Sequence, residues 1–269
     1  MVGNIRQWTI AGYKAALSGV LGGNLISGTL LGQPRRTVEY WQTCLFLWRI
    51  AARKGLPLVQ LHELLPLDEA IDVTVLPTSG HFVQWEPSFA KDVMYLSLVC
   101  KALKPKVVFE IGTLYGYTAL LFALNTGQDA KIYTLDLPAD ASFALPATIS
   151  DVTTRIAHHE VKQLAFQGHP LEQKISVLTG DSACFDYSPW RDGVDIFFID
   201  GSHSYEYVRS DTEHAFACCH PGSVILWHDY GRWGVNGVST YLHELSQKYP
   251  QLARLPGSSL AILRVPEVK

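Results

Sequence analysis

The residues best placed to do chemistry in this chain sit where apolar runs end. The stretch Val107-Val108-Phe109-Glu110-Ile111-Gly112-Thr113-Leu114-Tyr115-Gly116-Tyr117-Thr118 is an apolar run that reaches a carboxylate and opens through a glycine turn into helical sequence. Its pattern, Glu-x-Gly-x-x-x-Gly, is not the glycine spacing of a dinucleotide turn. No Gly-Lys-Ser/Thr follows, so it is not a phosphate loop. What remains is a turn that lets backbone approach a ligand closely, with Glu110 suited to a cationic group such as an amine. The next apolar run, 131–135, ends at Asp136, which lies 136 − 116 = 20 residues beyond Gly116. An acidic residue at that position accepts hydrogen bonds from ribose hydroxyls. A ligand with a ribose and a cationic amine but no phosphate is S-adenosylmethionine (SAM). Thr113, Tyr115, Gly116 and Thr118 in the turn, and Leu137 beside Asp136, complete this candidate cofactor wall.

A second constellation lies at two later run ends. Asp195-Ile196-Phe197-Phe198-Ile199-Asp200-Gly201-Ser202-His203 presents Asp200 and His203, and Ser223-Val224-Ile225-Leu226-Trp227-His228-Asp229-Tyr230 presents His228 and Asp229. In a parallel sheet both ends open onto one crevice. Asp200 there belongs both to the cofactor wall and to a candidate metal site with Asp229. Their hard oxygens suit Mg²⁺, and a bound cation would lower the pKa of a substrate hydroxyl. His228 is a third candidate ligand or a support for Asp229. His203 is the candidate general base, because an imidazole can take a hydroxyl proton near neutrality. The bland alternative is that Asp200 or Ser202 caps a following helix. Asp181 and Ser182, in Leu178-Thr179-Gly180-Asp181-Ser182, form a further run end. There Asp181 either accepts from an adenine amino group or caps a turn. Asp151, His158, His159, Glu160 and His169 show no metal-ligand spacing and read as a solvated helix face. The glycine-rich loop 230–237 follows the second run end directly and is a candidate acceptor pocket or lid.

The elements that must position these residues alternate from residue 106 onward. Strands are expected at 106–111, 131–135, 175–178, 194–199 and 223–227, with helices at 92–103, 116–126, 205–219 and 237–248. Ser88 is the expected cap of the first helix, and Pro221-Gly222 the stop of the third. Short apolar strands suit a parallel sheet with helices on both faces. Strands near 251–255 and 259–265, joined by Pro256-Gly257, form an antiparallel hairpin. The expected fold class is therefore α/β: a Rossmann-like, mostly parallel sheet with a C-terminal antiparallel hairpin.

With 269 residues the chain holds one large domain or one plus a small appendage. A net charge of −3 and the lack of Lys/Arg runs give no sign of a polyanion-binding surface, so no nucleic-acid partner is expected. Cys44, Cys100, Cys184, Cys218 and Cys219 form no C-x-x-C pattern, which fits reduced thiols and a cytoplasmic location. The apolar segment 15–31 is too short and too broken by glycine for a membrane span and reads as a docking or dimer-forming segment. Helical apolar spacing over 37–54 suggests core or subunit packing.

Taken together, Glu110-Ile-Gly-Thr with Gly116, the run to Asp136-Leu-Pro, Gly180-Asp181-Ser182, Asp200-Gly-Ser-His203 and His228-Asp229-Tyr resemble small bacterial class I SAM-dependent methyltransferases of the methyltransferase family 24 type. The similarity spans roughly residues 85 to 265. It implies methyl transfer to a hydroxyl of a small molecule or sugar, assisted by Mg²⁺ or another divalent metal at Asp200 and Asp229, with His203 as base. Several members of that family carry Glu-Asp where this chain has His228-Asp229, and a His ligand better tolerates Mn²⁺, Fe²⁺ or Zn²⁺. Residues 1–85 are expected to form a mainly helical extension serving the acceptor site or a dimer, with 86–269 the catalytic domain. The competing readings are a metal-dependent hydrolase or oxygenase built on the same His/Asp cluster, and a non-catalytic SAM-fold partner protein.

Overall fold

The computed structural model describes residues 55–68, 70–75, 87–138, 140–149, 151–152, 163–232 and 235–266. By internal contacts the chain divides into Met1–Gly55 and Leu56–Lys269, and every strand of the sheet belongs to the second unit. The expected segments 15–31 and 37–54, and His158, His159 and Glu160, lie outside the described residues.

Among the described residues, a set of helices and strands positions the site. In chain order they are α1 (Leu61–Leu64), α2 (Pro87–Leu103), β1 (Val107–Ile111), α3 (Tyr117–Asn125), β2 (Lys131–Asp136), β3 (Ile175–Thr179), β4 (Val194–Ile199), α4 (Tyr205–Cys218), β5 (Cys219–Trp227), α5 (Asn236–Lys248), β6 (Ala253–Arg254) and β7 (Ala261–Arg264). The strands form one sheet in the order β3-β2-β1-β4-β5-β7-β6. The pairs from β3 to β5 are parallel, and β7 pairs antiparallel with both β5 and β6. This is the expected fold class. Two boundaries differ from expectation. α2 already begins at Pro87, a residue favoured at the first helical position because its missing N–H costs nothing there, so Ser88 is inside the helix. α4 ends at Cys218, and Pro221-Gly222 falls within β5, where the register with β4 shifts between Val194 and Ile196.

The sequence of the central strands explains why they are central. Val108, Ile196, Phe198, Val224 and Leu226 pack on one face with Val93, Leu96 and Val99 of α2 and Ala119, Leu120 and Phe122 of α3. Phe109, Ile111, Phe197, Ile199, Ile225 and Trp227 alternate to the other face, where Val208 and Ala215 of α4 and Val238 and Leu242 of α5 cover them. Strands covered on both faces must be apolar at every position, and burying this surface at about 25 cal/mol per Å² dominates the stability. α4 begins at Ser204, whose hydroxyl accepts from the Tyr207 amide, a conventional side-chain cap. Among the described residues no helix is long and apolar enough to cross a membrane.

The registers fix what lies at the sheet's C-terminal edge. Ile111 is paired with both Leu135 and Ile199, and Ile199 with Trp227. One residue further on, the Gly112 amide donates to Leu135 O, the Asp200 amide to Ile111 O and the His228 amide to Ile199 O. Gly112, Asp136, Asp200 and His228 therefore form one row. It straddles β1 and β4, from which the chain departs in opposite directions, the place where open α/β sheets bind ligands.

Gly112 adopts φ 103°, and a Cβ there would run into the Asp200 carbonyl. Gly112→Ala is therefore expected to destabilise the protein by more than about 2 kcal/mol, through both a forbidden backbone angle and a clash. Urea denaturation of the purified variant reads this directly; wild-type stability in Gly112→Ala would refute the close approach.

Candidate active site

The candidate cofactor wall is built on β1 and β2. Glu110 is fully buried, and its Oε2 accepts from the Thr134 hydroxyl at 2.6 Å. Thr113 lies 2.7 Å from the same hydroxyl, which makes a short chain Thr113–Thr134–Glu110. Glu110 Oε1 has no hydrogen-bond partner. Burial raises the Glu110 carboxyl well above the usual range; the Thr134 hydrogen bond opposes this, and the charges of Asp200 and Asp136 add to it. A buried carboxyl with one empty acceptor is stabilised by an arriving cation. Asp136 is organised differently. Its Oδ2 accepts from the Leu114 amide and its Oδ1 from the Leu137 amide, each at 2.8 Å. The carboxylate is held in place by both amides.

The remaining turn residues serve mainly as framework. Gly116 is left-handed (φ 72°) at the entry to α3 and packs against the Phe166 ring. The Tyr115 carbonyl accepts from the Ala165 amide at 2.8 Å. Thr118 is half-buried in the first turn of α3. Asp181 does not sit open for an adenine. Its Oδ2 accepts from the Ala144 amide and the Tyr207 hydroxyl, at 2.8 and 2.6 Å, and its Oδ1 from the Ala183 amide at 2.9 Å. Ser182 is buried and its carbonyl accepts from the Tyr187 hydroxyl at 3.2 Å.

The second constellation comes together. Asp200, His228 and Asp229 each offer a ligand atom within 4.8 Å of the others. His228 Nδ1 is 2.9 Å from Asp200 Oδ1 and 3.4 Å from Asp229 Oδ1. The atom is sealed from solvent, yet it is aligned for a hydrogen bond with neither. Burial works against charge on His228, but Asp200 and Asp229 outweigh it and hold the imidazole's pKa well above normal. Asp229 itself has φ 60°, the left-handed region that asparagine and aspartate tolerate best. An orphaned nitrogen facing two carboxylate oxygens is the donor set a divalent cation would satisfy. The residues present therefore fit a metal.

His203 is not a free base in this arrangement. Its Nδ1 is 2.6 Å from Asp151 Oδ1 and its Nε2 is 2.7 Å from Asp229 Oδ2, with the side chain 15% exposed. Burial alone would lower its pKa, but the two carboxylates outweigh burial and push it up to about 9. Burial also disfavours the Asp151 anion, yet the His203 contacts and the backbone amides bring its carboxyl down to about 2. Asp229 is held below the ordinary carboxylate range despite its burial, by His228, His203 and Arg232. Arg232 Nη1 lies 3.0 Å from Asp229 Oδ1.

Three residues of the site are not expected from sequence. Asp151 is buried and central, not on a solvated face. Its Oδ1 also accepts from the His203 amide, and its Oδ2 accepts from the Ser202 hydroxyl and the Thr148 amide, while its own amide donates to the Thr148 hydroxyl. That reciprocal pair is a capping box, and Thr148-Ile-Ser-Asp151 is its sequence signature. Asp92, the one acid of α2, and Tyr207, which braces Asp181, carry no comparable signal.

Residues 109–230 match the family model described as a methyltransferase domain. No curated protein matches the chain in sequence. Among solved structures the chain is similar to the O-methyltransferase TomG of Streptomyces achromogenes, involved in tomaymycin synthesis and bound to SAM (15% identity, 66% of this chain and 81% of that chain, TM-score 0.46). It is also similar to an O-methyltransferase of Bacillus cereus in complex with SAH (19% identity, 64% and 80% covered, TM-score 0.43) and to the SAH-bound methyltransferase PaMTH1 of Podospora anserina (16% identity, 65% and 78% covered, TM-score 0.46).

The perturbed groups make stability and protonation depend on pH in two ways. His203 binds its proton more tightly when folded, so its share of stability is full below the ordinary 6.5 and is lost as pH rises through about 9. In metal-free protein, ¹⁵N NMR should show a doubly protonated His203 ring at pH 7.5, and Asp151→Asn should shift its titration toward 6.5. A neutral ring at pH 7.5 would refute the clamp. Asp211 on α4 is fully buried with neither oxygen aligned to a partner. Burial, partly offset by Ser182 and reinforced by Asp181, raises its carboxyl from 3.8 to about 7. The folded state then holds the extra proton, so stability declines as pH rises across that window. Asp211→Asn should be more stable than wild type by a few kcal/mol at pH 8 and nearly equal to it at pH 4, measured by denaturation at both pH values.

Proposed function

We propose that the chain, whose residues 109–230 match a family model described as a methyltransferase domain, is a SAM-dependent O-methyltransferase that methylates a hydroxyl of a small molecule or sugar. The observation that carries this reading is the single row Gly112–Asp136–Asp200–His228. It sets Gly112 and Asp136 directly beside a cluster of carboxylates and imidazoles, which supports a cofactor and an acceptor meeting there.

Each residue has a role in this proposal. Asp136, fixed by two backbone amides, accepts from the ribose hydroxyls. Glu110 Oε1 accepts from the methionyl amine, whose positive charge lets the buried carboxyl ionise. Gly112 lets the cofactor lie against the backbone, and Asp181 receives the adenine amino group once the Ala144 segment yields its hydrogen bond. Asp200, His228 and Asp229 would hold a divalent cation, Mg²⁺ or another, which supplies Lewis acidity that lowers the pKa of a nearby hydroxyl. His203 Nε2 is then the base. While it is clamped between Asp151 and Asp229 it carries its proton, so it can act only when the charge of Asp229 is otherwise engaged. Asp151 meanwhile keeps Nδ1–H oriented, the arrangement of a base and its orienting carboxylate. The acceptor proton passes to Nε2, the oxygen attacks the methyl carbon in line, and the carbon–sulfur bond breaks to leave S-adenosylhomocysteine (SAH). Holding oxygen and methyl in contact supplies much of the rate.

The wider reading comprises residues 1–85 as an acceptor-binding or dimer-forming extension, 86–269 as the catalytic domain, a homo-oligomer and a cytoplasmic location. The segment from Leu56 joins the catalytic unit physically: the Leu56 amide donates to the Tyr230 hydroxyl at 2.9 Å, and the Val59 amide to Arg254 O.

Isothermal titration with SAH tests the cofactor assignment. Wild type should bind, Glu110→Gln should bind about tenfold more weakly and Asp136→Ala about tenfold to a hundredfold more weakly, as befits charged hydrogen bonds. No SAH binding, together with a tightly held transition metal, would instead favour the hydrolase or oxygenase reading.

A further inference from the structure

The sheet's alternation sends His228 toward the α2 face, and there it meets a third carboxylate. Asp92 is 2% exposed and is the one acid of α2. Its Oδ1 accepts from the Ser259 amide at 2.9 Å and its Oδ2 from the Ser259 hydroxyl at 2.8 Å. The same Oδ2 lies 3.4 Å from His228 Nε2. Ser259 belongs to the turn between β6 and β7, and its carbonyl accepts from the Tyr230 amide, the residue that follows Asp229. Asp92 is thus tied through Ser259 to the strand end that carries His228 and Asp229.

We propose that Asp92 is the positioning residue for His228: it keeps the ring hydrogen on Nε2, so that the Nδ1 lone pair faces the point shared by Asp200 and Asp229, and this nitrogen makes the site select a transition-metal dication over Mg²⁺. The inference rests on the reading of Asp200, His228 and Asp229 as a cation site. Four points lead to it. An imidazole that ligates has given up one proton, so it keeps a single N–H and binds through its other nitrogen. Of the two nitrogens, Nε2 faces only an acceptor that is already fixed, whereas Nδ1 faces two oxygens and has no aligned partner. Carboxylates that receive the far N–H of a ligating histidine orient the ring and raise its basicity, and losing one typically costs about ten- to a hundredfold in metal affinity. Imidazole nitrogen favours Mn²⁺, Fe²⁺ or Zn²⁺, while Mg²⁺ prefers oxygen and water. Asp92 buried solely to brace the Ser259 turn would predict a loss of stability and no change in metal preference.

The experiment uses the full chain stripped with chelator and titrated separately with MnCl₂, MgCl₂ and SAH. Pulsed electron paramagnetic resonance of the Mn²⁺ form should show a ¹⁴N coupling that disappears in His228→Asp. In that variant the ratio of Mn²⁺ to Mg²⁺ affinity should fall about tenfold or more. Asp92→Asn, whose amide oxygen can still accept from Ser259, should lower Mn²⁺ affinity about tenfold to a hundredfold and Mg²⁺ affinity much less. If that variant does not fold, Ser259→Ala, which removes one fixed partner of Asp92 Oδ2, should shift the ratio in the same direction. Bound Mn²⁺ without nitrogen coupling in wild type would overturn the proposal. So would an unchanged Mn²⁺-to-Mg²⁺ ratio in Asp92→Asn, or in Ser259→Ala where Asp92→Asn is unfolded. If SAH binds and neither metal does, this inference fails while the cofactor reading stands. If Mn²⁺ binds with nitrogen coupling and SAH does not, the methyltransferase reading fails and this inference stands.

Discussion

The structure depends on one line of backbone hydrogen bonds. Gly112 to Leu135, Asp200 to Ile111 and His228 to Ile199 continue the parallel ladder one residue past the last apolar pair. Because side chains alternate along a strand, that extra residue turns away from the Ile111–Ile199–Trp227 core. A polar side chain can stand there without disturbing the packing beneath. Slipping any of these strands by one residue would bury Asp200 or His228 among the α4 and α5 side chains and expose Ile199 or Trp227. The hydrophobic pattern of the strands therefore fixes the geometry of the polar row.

Polar groups gathered this closely need to balance. Asp92, Asp151, Asp200 and Asp229 face His203, His228 and Arg232, and the contacts run from 2.6 to 3.4 Å. Removing one partner from such a buried cluster costs far more than the pair contributes, since the remaining charge stays desolvated. Asp229 is the node: it touches both imidazoles and the guanidinium. Its left-handed backbone carries a cost of roughly 1–2 kcal/mol, sustained by the groups that hold its carboxylate. Glu110 shows the opposite solution. Burial disfavours the charge of this acid, and its unpartnered Oε1 has no internal group to offset that.

Sequence encodes local pattern directly and partner identity only through the fold. Apolar runs and their end points are local, so β1, β2, β4 and β5, Glu110, Gly112, Asp136, Asp200 and His228-Asp229 can be located from the residues alone. Partners are another matter. His203 reads as a base by residue type, yet its state is set by Asp151, which lies 52 positions away in sequence, and by Asp229. Asp92 is 167 positions from Ser259 and carries no motif, because a single aspartate in a mostly apolar helix announces burial without naming what it meets. Asp151 does have a local signal, since Thr148-x-x-Asp151 has the form of a capping box, but a cap signature does not reveal that the same carboxylate also reaches a histidine. The end of α4 departs from expectation for a related reason: Pro221-Gly222 looks like a helix stop, whereas the chain has already entered β5 and uses the dipeptide where the register shifts.

Two imidazole–carboxylate pairs thus converge on Asp229 from opposite sides, Asp151–His203 and Asp92–His228. Each has an outer carboxylate fixed by backbone amides or a serine and an inner nitrogen directed at the strand end. They differ in what the inner nitrogen meets. His203 Nε2 meets one carboxylate at hydrogen-bond distance and is satisfied, whereas His228 Nδ1 meets two and is aligned with neither. A satisfied nitrogen retains its proton; an unsatisfied one among anions invites a cation. In the proposed reading, the two histidines, alike in sequence as residues near an aspartate at a strand end, take the roles of proton carrier and ligand because their partners differ. That asymmetry also couples them, since any charge placed beside His228 is shared with Asp229 and so weakens the hold on the His203 proton.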